Sequence, residues 1–115
     1  LSNYNYISPD LLVAFLKYAY SRTDVFRKLY KALPIGGVDG TLENRMRKGT
    51  LSYKNVHAKT GSFTGINCLA GYLKADNGHD IAFAIMNQSV LSGRKAQAFQ
   101  DAVCDAVIKL VPLPH

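Results

Sequence analysis

Apolar and polar positions change period several times along the chain, and each change marks an element. Ser8-Pro9-Asp10 has the makings of a helix start. A serine can cap free N–H groups, a proline in the first turn gives up a donor that has no partner there, and an aspartate complements the helix dipole. Leu11, Leu12, Phe15, Leu16 and Ala19 then recur on one face with helical spacing. The pattern breaks around Ser21–Asp24, and a second short helix is predicted from about Asp24 to Ala32, with Val25, Leu29 and Leu33 apolar. Residues 33–46 carry Pro34, Gly36, Gly37 and Gly40, which predict a turn-rich loop, and Thr41 followed by Leu42–Met46 predicts a short capped helix. Arg47–Asn55 is polar and reads as exposed.

The period then shortens to that of strands. Val56–Thr60 is the first predicted strand, Gly61–Gly65 interrupts, and Ile66–Lys74 is the second. Asp76-Asn77-Gly78-His79 predicts a hairpin turn, because Asn-Gly tolerates the positive φ that tight hairpins need. Asp80–Gln88 is the third strand, with Ile81, Phe83 and Ile85 on one face and Ala82, Ala84 and Met86 on the other. Both faces are apolar, so both are expected to be covered, and the alanines leave room for a close helix. A last helix is predicted from near Ser92, as its cap, to about Leu110, with a stripe of Phe99, Val103, Ala106, Val107 and Leu110. Pro112 and Pro114 stop it. The fold class is therefore α+β: an antiparallel sheet of about three strands with packed helices.

Composition narrows this further. A chain of 115 residues supports one domain, and 48% hydrophobic residues rule out disorder of the whole chain. No repeat, low-complexity tract or linker divides it, and no apolar run reaches the ~20 residues of a membrane-spanning helix. Two cysteines make no disulfide scaffold and no zinc spacing; Cys68 on a strand and Cys104 on a helix read as free thiols, with a disulfide open in an oxidising compartment. The net charge of +6 attracts anions, but the charges are scattered, which favours a solvated basic face over a nucleic-acid footprint. Gly36-Gly37-Val38-Asp39-Gly40 lacks the full spacing of a nucleotide cradle. The tyrosines Tyr4, Tyr6, Tyr18 and Tyr20 read as core and rim. The opening lacks Met and a signal-peptide pattern, from which a mature or excised chain is expected.

Candidate chemistry concentrates in residues 56–73. Lys59, Thr60 and Gly61 fall where a strand meets a glycine-containing segment. Lys59 would present a fixed cation, Thr60 a hydroxyl suited to a carboxylate, Gly61 a place for a ligand to approach the backbone, and Ser62 a backbone N–H. Together they suit an anionic, carbonyl-containing substrate. The residues alone leave open an ordinary strand end with a solvated lysine. His57 shares the face of Lys59 and reads equally as a tuning group or a structural histidine; His79 and His115 have no partners in a ligand pattern.

LPIGGVDGTLENRM, then HAKTGSFTGINCLAGYL, resembles the C-terminal part of the serine D-alanyl-D-alanine carboxypeptidases, in the branch of class C low-molecular-mass penicillin-binding proteins that also act as endopeptidases. The opening LSNYNYISPDLL is similar to their lead-in to a helix, so three blocks agree over about residues 1–90. These enzymes use a Ser-x-x-Lys, a Ser-x-Asn and a Lys-Thr-Gly motif, and the serine forms an acyl-enzyme that water resolves. The resemblance implies that Lys59 is catalytic through its charge and that Thr60, Gly61 and Ser62 bind substrate, Thr60 holding the terminal carboxylate and the Ser62 amide serving as an oxyanion donor. Asp39, Gly40, Thr41 and Arg45 match a structural block with no catalytic role.

The chain departs from the family in its other motifs. No serine has asparagine two residues on, and Ser92-Gly93-Arg94-Lys95, although it spells Ser-x-x-Lys, follows Lys-Thr-Gly instead of preceding it. The expectation is a C-terminal fragment, residues 1–115 forming part of a single penicillin-binding domain, inactive alone and without metal or organic cofactor. The implied partners are peptidoglycan stem peptides ending in D-Ala-D-Ala, with β-lactams as inhibitors and no nucleic acid, in the cell envelope or periplasm. An exposed sheet edge, expected at Asp80–Gln88, predicts a homodimer. Two rivals stay open: a β-lactamase-type hydrolase, which would deacylate fast, and a non-enzymatic basic binding module for nucleic acid or anionic polymer, whose affinity would fall steeply with salt.

Overall fold

The structure is a computed structural model that describes residues 8–63, 65–88 and 93–110. Helices α1 (Pro9–Tyr20) and α2 (Thr23–Ala32) come first, then a 3-10 turn at Gly40–Leu42, strands β1 (His57–Phe63), β2 (Ile66–Lys74) and β3 (Asp80–Gln88), and helix α3 (Gly93–Lys109). The expected helix start holds: the Ser8 hydroxyl accepts from the Leu11 N–H at 3.2 Å. The expected cap at Ser92, the leading Tyr4 and Tyr6, and the terminal Pro112, Pro114 and His115 lie outside the described residues.

The sheet is antiparallel in the order β1-β2-β3. The β2–β3 hairpin has the expected bounds, with Lys74 opposite Asp80. Its turn closes through a bond from the Ala75 N–H to the His79 carbonyl, and Gly78 takes the left-handed φ of 88°. Strand β1 is longer than expected. Gly61 and Ser62 pair with Cys68 and Asn67 instead of interrupting, because the β2 ladder offsets the entropy that a strand glycine loses. The left-handed turn falls later, at Gly65 with φ 76°.

Register divides the sheet into two covered faces. On one, Ala58, Leu69 and Leu73 pack with Leu42, Met46, Val56, Cys104 and Ile108, and Ile81, Phe83 and Ile85 lie against them under α3. On the other, Tyr72 packs with Leu16 of α1 and with Leu33, and Ala70 and Ala82 let α1 lie close. Full burial of a side chain such as Leu69 stabilises by roughly 1.5–3 kcal/mol. The Tyr72 hydroxyl donates to the Leu16 carbonyl at 2.7 Å and ties α1 to the central strand.

Four sequence expectations are corrected. The buried row of α3 is Ala96, Gln100, Cys104 and Ile108, whereas Phe99 and Leu110 of the expected stripe are exposed. A polar network draws Gln100 inward and rotates the helix. On α1, Leu16 and Ala19 are buried while Leu11 and Phe15 are more than half exposed, since the sheet meets only one flank of the apolar face. The helix expected over Leu42–Met46 is only the 3-10 turn, because the backbone reverses at Met46, with φ 52°. Within the polar segment 47–55, Ser52 is fully buried; its N–H and hydroxyl both donate to the Asp105 carboxylate of α3.

Candidate functional site

The outer edge of β1 is closed at one end and open at the other. Pro34–Gly36 runs beside its start: the Ala58 N–H donates to the Pro34 carbonyl at 2.9 Å, and the Gly36 N–H to the Val56 carbonyl at 2.8 Å. Beyond Ala58 no strand lies along this edge among the described residues. Backbone groups alternate in direction along a strand. The Ala58 N–H points outward, so the N–H groups of Thr60 and Ser62 point outward too.

Lys59, Gly61 and Ser62 are exposed and Thr60 is half-buried. The Lys59 ammonium donates to the Thr60 carbonyl at 2.8 Å, and the Thr60 hydroxyl donates to the Thr41 hydroxyl at 2.8 Å. By register, Lys59 lies opposite Ala70 and Thr60 opposite Leu69, so the two side chains leave opposite faces of the sheet. Among the described residues, a Cβ on Gly61 would meet no atom within 4 Å beyond its chain neighbours. The four residues are consecutive on an open margin of the sheet, with Lys59 and Thr60 on opposite faces, and no closed cleft surrounds them among the described residues.

The neighbouring groups have clear structural work. His57 does share the face of Lys59, yet its ring stacks on Tyr30 at 4.1 Å, and Nδ1 lies 3.0 Å from both the Tyr30 hydroxyl and the Asn55 carbonyl. A carbonyl only accepts, so Nδ1 carries the hydrogen and the ring is held between α2 and β1. Cys68 is half-buried on the α1 side of the sheet, while Cys104 is buried on the α3 side; both are free. Burial, and secondarily the carboxylate of Asp101, pushes the Cys104 thiol up to about 12. Two adjoining hollows of about 210 Å³ each lie elsewhere, between α1, α2 and the sheet, around Tyr20, Tyr72 and Asp80. There the Tyr20 hydroxyl donates to Asp80 at 2.6 Å and the Lys74 ammonium lies 2.9 Å away, which together hold the Asp80 carboxyl below its ordinary range. Among the described residues no group of three His, Cys, Asp or Glu is placed to hold a metal, and no helix is long and apolar enough to cross a membrane.

Residues 1–109 match the sequence model of the D-Ala-D-Ala carboxypeptidase 3 (S13) family. The chain belongs to this family. A D-alanyl-D-alanine carboxypeptidase from Actinomadura sp. (strain R39) is 38% identical over 109 residues, covering 90% of this chain and 19% of the relative. The D-alanyl-D-alanine carboxypeptidase DacB of Haemophilus influenzae is 38% identical over 86 residues, 72% of this chain and 17% of its own length. The crystal structure of penicillin binding protein 4 (dacB) from Haemophilus influenzae, complexed with a novel β-lactam, superposes with a TM-score of 0.76 at 30% identity, covering 96% of this chain and 27% of that one. The chain therefore spans about a fifth of the length of these curated relatives and about a quarter of the solved structure.

In this S13 chain one group of residues beside the candidate site was not legible in the sequence. Arg45 reaches α3, where its Nη2 donates to Asp101 at 2.6 Å, to Gln100 Oε1 at 3.0 Å and to the Gln97 carbonyl at 3.2 Å. Gln100 in turn donates to Asn87 of β3 at 2.9 Å. The network fastens the 3-10 turn, and Thr41 with it, to the body of the sheet. Sequence patterns carry no signal for such contacts, since Arg45 and Asp101 lie 56 positions apart.

Proposed function

We propose that this chain is part of a single penicillin-binding, transpeptidase-like domain and forms the Lys-Thr-Gly wall of a serine D-Ala-D-Ala carboxypeptidase. The nucleophilic serine with its lysine, and the Ser-x-Asn motif, come from parts of the protein outside this chain. The substrates are peptidoglycan stem peptides ending in D-Ala-D-Ala, the inhibitors are β-lactams, and the place of action is the cell envelope or periplasm. Lys59 supplies positive charge to the site, the Thr60 hydroxyl donates to the terminal carboxylate, and the Ser62 N–H is one oxyanion donor. A single such donor is worth about 10²–10³-fold in kcat.

One observation carries this reading: the part of β1 that bears the motif is the part along whose outer edge no strand lies among the described residues. Gly61 supports it, since among the described residues nothing would crowd a Cβ there. The test is D-Ala release by the full-length protein. Lys59→Ala should lower it by about 10²-fold or more, on the scale of lost transition-state charge stabilisation, and the 115-residue chain alone should show no turnover. Turnover that survives Lys59→Ala but not Ser92→Ala overturns the assignment. Fast release of hydrolysed nitrocefin would instead mark a β-lactamase.

The reading also gives the isolated chain a dimer. Strand β3 has a neighbour on one side only among the described residues, and an unpaired edge invites a second copy. Light scattering at high concentration should report twice the monomer mass; a monomer contradicts the pairing.

A further inference from the structure

The observation that leads beyond the motif is the pair of hydroxyls at its centre. Thr60 Oγ1 lies 2.8 Å from Thr41 Oγ1. Thr41 is exposed and Thr60 only half-buried, so this bond adds little to stability. The platform beneath Thr41 is nevertheless firmly built. Leu42, its neighbour, is fully buried. Gly40 takes φ 56°, where a Cβ would press on the Pro34 ring at 2.9 Å. The Asp39 carboxylate accepts from the Ile35 N–H at 2.7 Å and closes the turn. The Arg45 side chain, 9% exposed, anchors the following residues to Asp101. A rigid support that ends in an exposed hydroxyl, aimed at the hydroxyl of the motif, calls for a role outside stability.

We propose that Thr41 is a positioning residue for Thr60, an inference that rests on the reading of Thr60 as the carboxylate-binding group. Each hydroxyl has one proton to give and lone pairs to receive. As the pair stands, Thr60 spends its proton on Thr41. When a substrate carboxylate arrives the pair reverses: Thr41 O–H donates to Thr60 Oγ1, and Thr60 O–H donates to the carboxylate. Two protons reorient, no bond to hydrogen breaks and no charge moves. Thr41 thereby fixes the Thr60 rotamer, keeps its oxygen satisfied in both states, and polarises the O–H that meets the anion. The ligand class it serves is a free terminal carboxylate, as distinct from an amide or a chain that continues.

The experiment compares a peptide ending in D-Ala-D-Ala with its C-terminal carboxamide, using the full-length protein and its Thr41→Val, Thr41→Ser and Thr60→Val variants. Thr41→Val should raise KM for the acid about five-fold, the worth of one hydrogen bond, with kcat within about two-fold. The carboxamide should be handled as by the parent protein, and the melting temperature should not change. Thr41→Ser, which keeps the hydroxyl, should restore the parent KM. If Thr41→Val prefers acid over amide as strongly as the parent while Thr60→Val does not, Thr41 has no positioning role and the assignment of Thr60 stands. If Thr60→Val leaves the preference intact, the assignment of Thr60 fails, and the role of Thr41 fails with it.

Discussion

The two ends of β1 differ in how much of their chemistry the chain itself explains. At His57 and Ala58 the neighbours account for the residues: Ala58 is fully buried and His57 half-buried. Tyr30 stacks on the imidazole, Pro34 takes the outward N–H of Ala58, and Gly71 on β2 backs the pair. A Cβ on Gly71 would run into the His57 carbonyl oxygen and stand 2.6 Å from the Ala58 Cα, so packing alone demands a glycine. Four residues after His57, a Cβ on Gly61 would meet nothing within 4 Å among the described residues, and no strand covers the outer edge beside it there. One glycine answers to the fold and the other does not. The lesson is that a candidate site stands out where sequence choices stop being accounted for by neighbours.

The sharpest way to break that contrast is to fill both glycines. Gly71→Ala should destabilise by about 3 kcal/mol in urea unfolding, at the upper range of overpacking, because the clash is with backbone that cannot swing aside. Gly61→Ala should stay within about 0.5 kcal/mol of the parent, while lowering D-Ala release by the full-length protein. Equal losses of stability at the two positions would dissolve the distinction. Next in size is Asp101→Asn, which takes the charge from the partner of the nearly buried Arg45. It should cost about 2 kcal/mol, within the range of hydrogen bonds to charged groups, and should also weaken the preference for acid over amide, since Thr41 rides on that anchor.

Acid should loosen the far end of the sheet and leave the margin at Lys59 alone. The Asp80 carboxyl is held low first by the Tyr20 hydroxyl and then by Lys74. Its folded value lies below its unfolded one, so its contribution is whole above the ordinary carboxylate range and is lost as pH falls through the lowered value. Tyr20→Phe should flatten that part of the stability–pH curve; an unchanged curve would remove Asp80 from the account. The smallest effect is chemical. With its thiol near 12, Cys104 should stay unmodified by a thiol reagent at pH 8 while half-buried Cys68 reacts first. The reverse order would mean that the α3 face opens before the α1 face.

The hairpin was legible because alternation and an Asn-Gly turn are local signals, and both strands keep their expected bounds. The motif was legible for a similar reason: Lys59, Thr60, Gly61 and Ser62 are consecutive. The exposed flank of α1 and the inward turn of Gln100 were not, since an apolar count cannot tell which flank meets the sheet or that a glutamine goes inside to meet Arg45 and Asn87. Thr41 falls in the same class. Its tie to Thr60 spans 19 positions and depends on a turn set by Gly40, Asp39 and Arg45 acting together.

Lys59 and Thr60 leave opposite faces of the strand. A molecule read by both must sit astride the rim, with part of its mass above the sheet and part below. That posture fixes more than affinity. Under the proposed function, a guest met by a cation on one side of the rim and a hydroxyl on the other would have its two ends told apart, and one orientation would be favoured over the reverse.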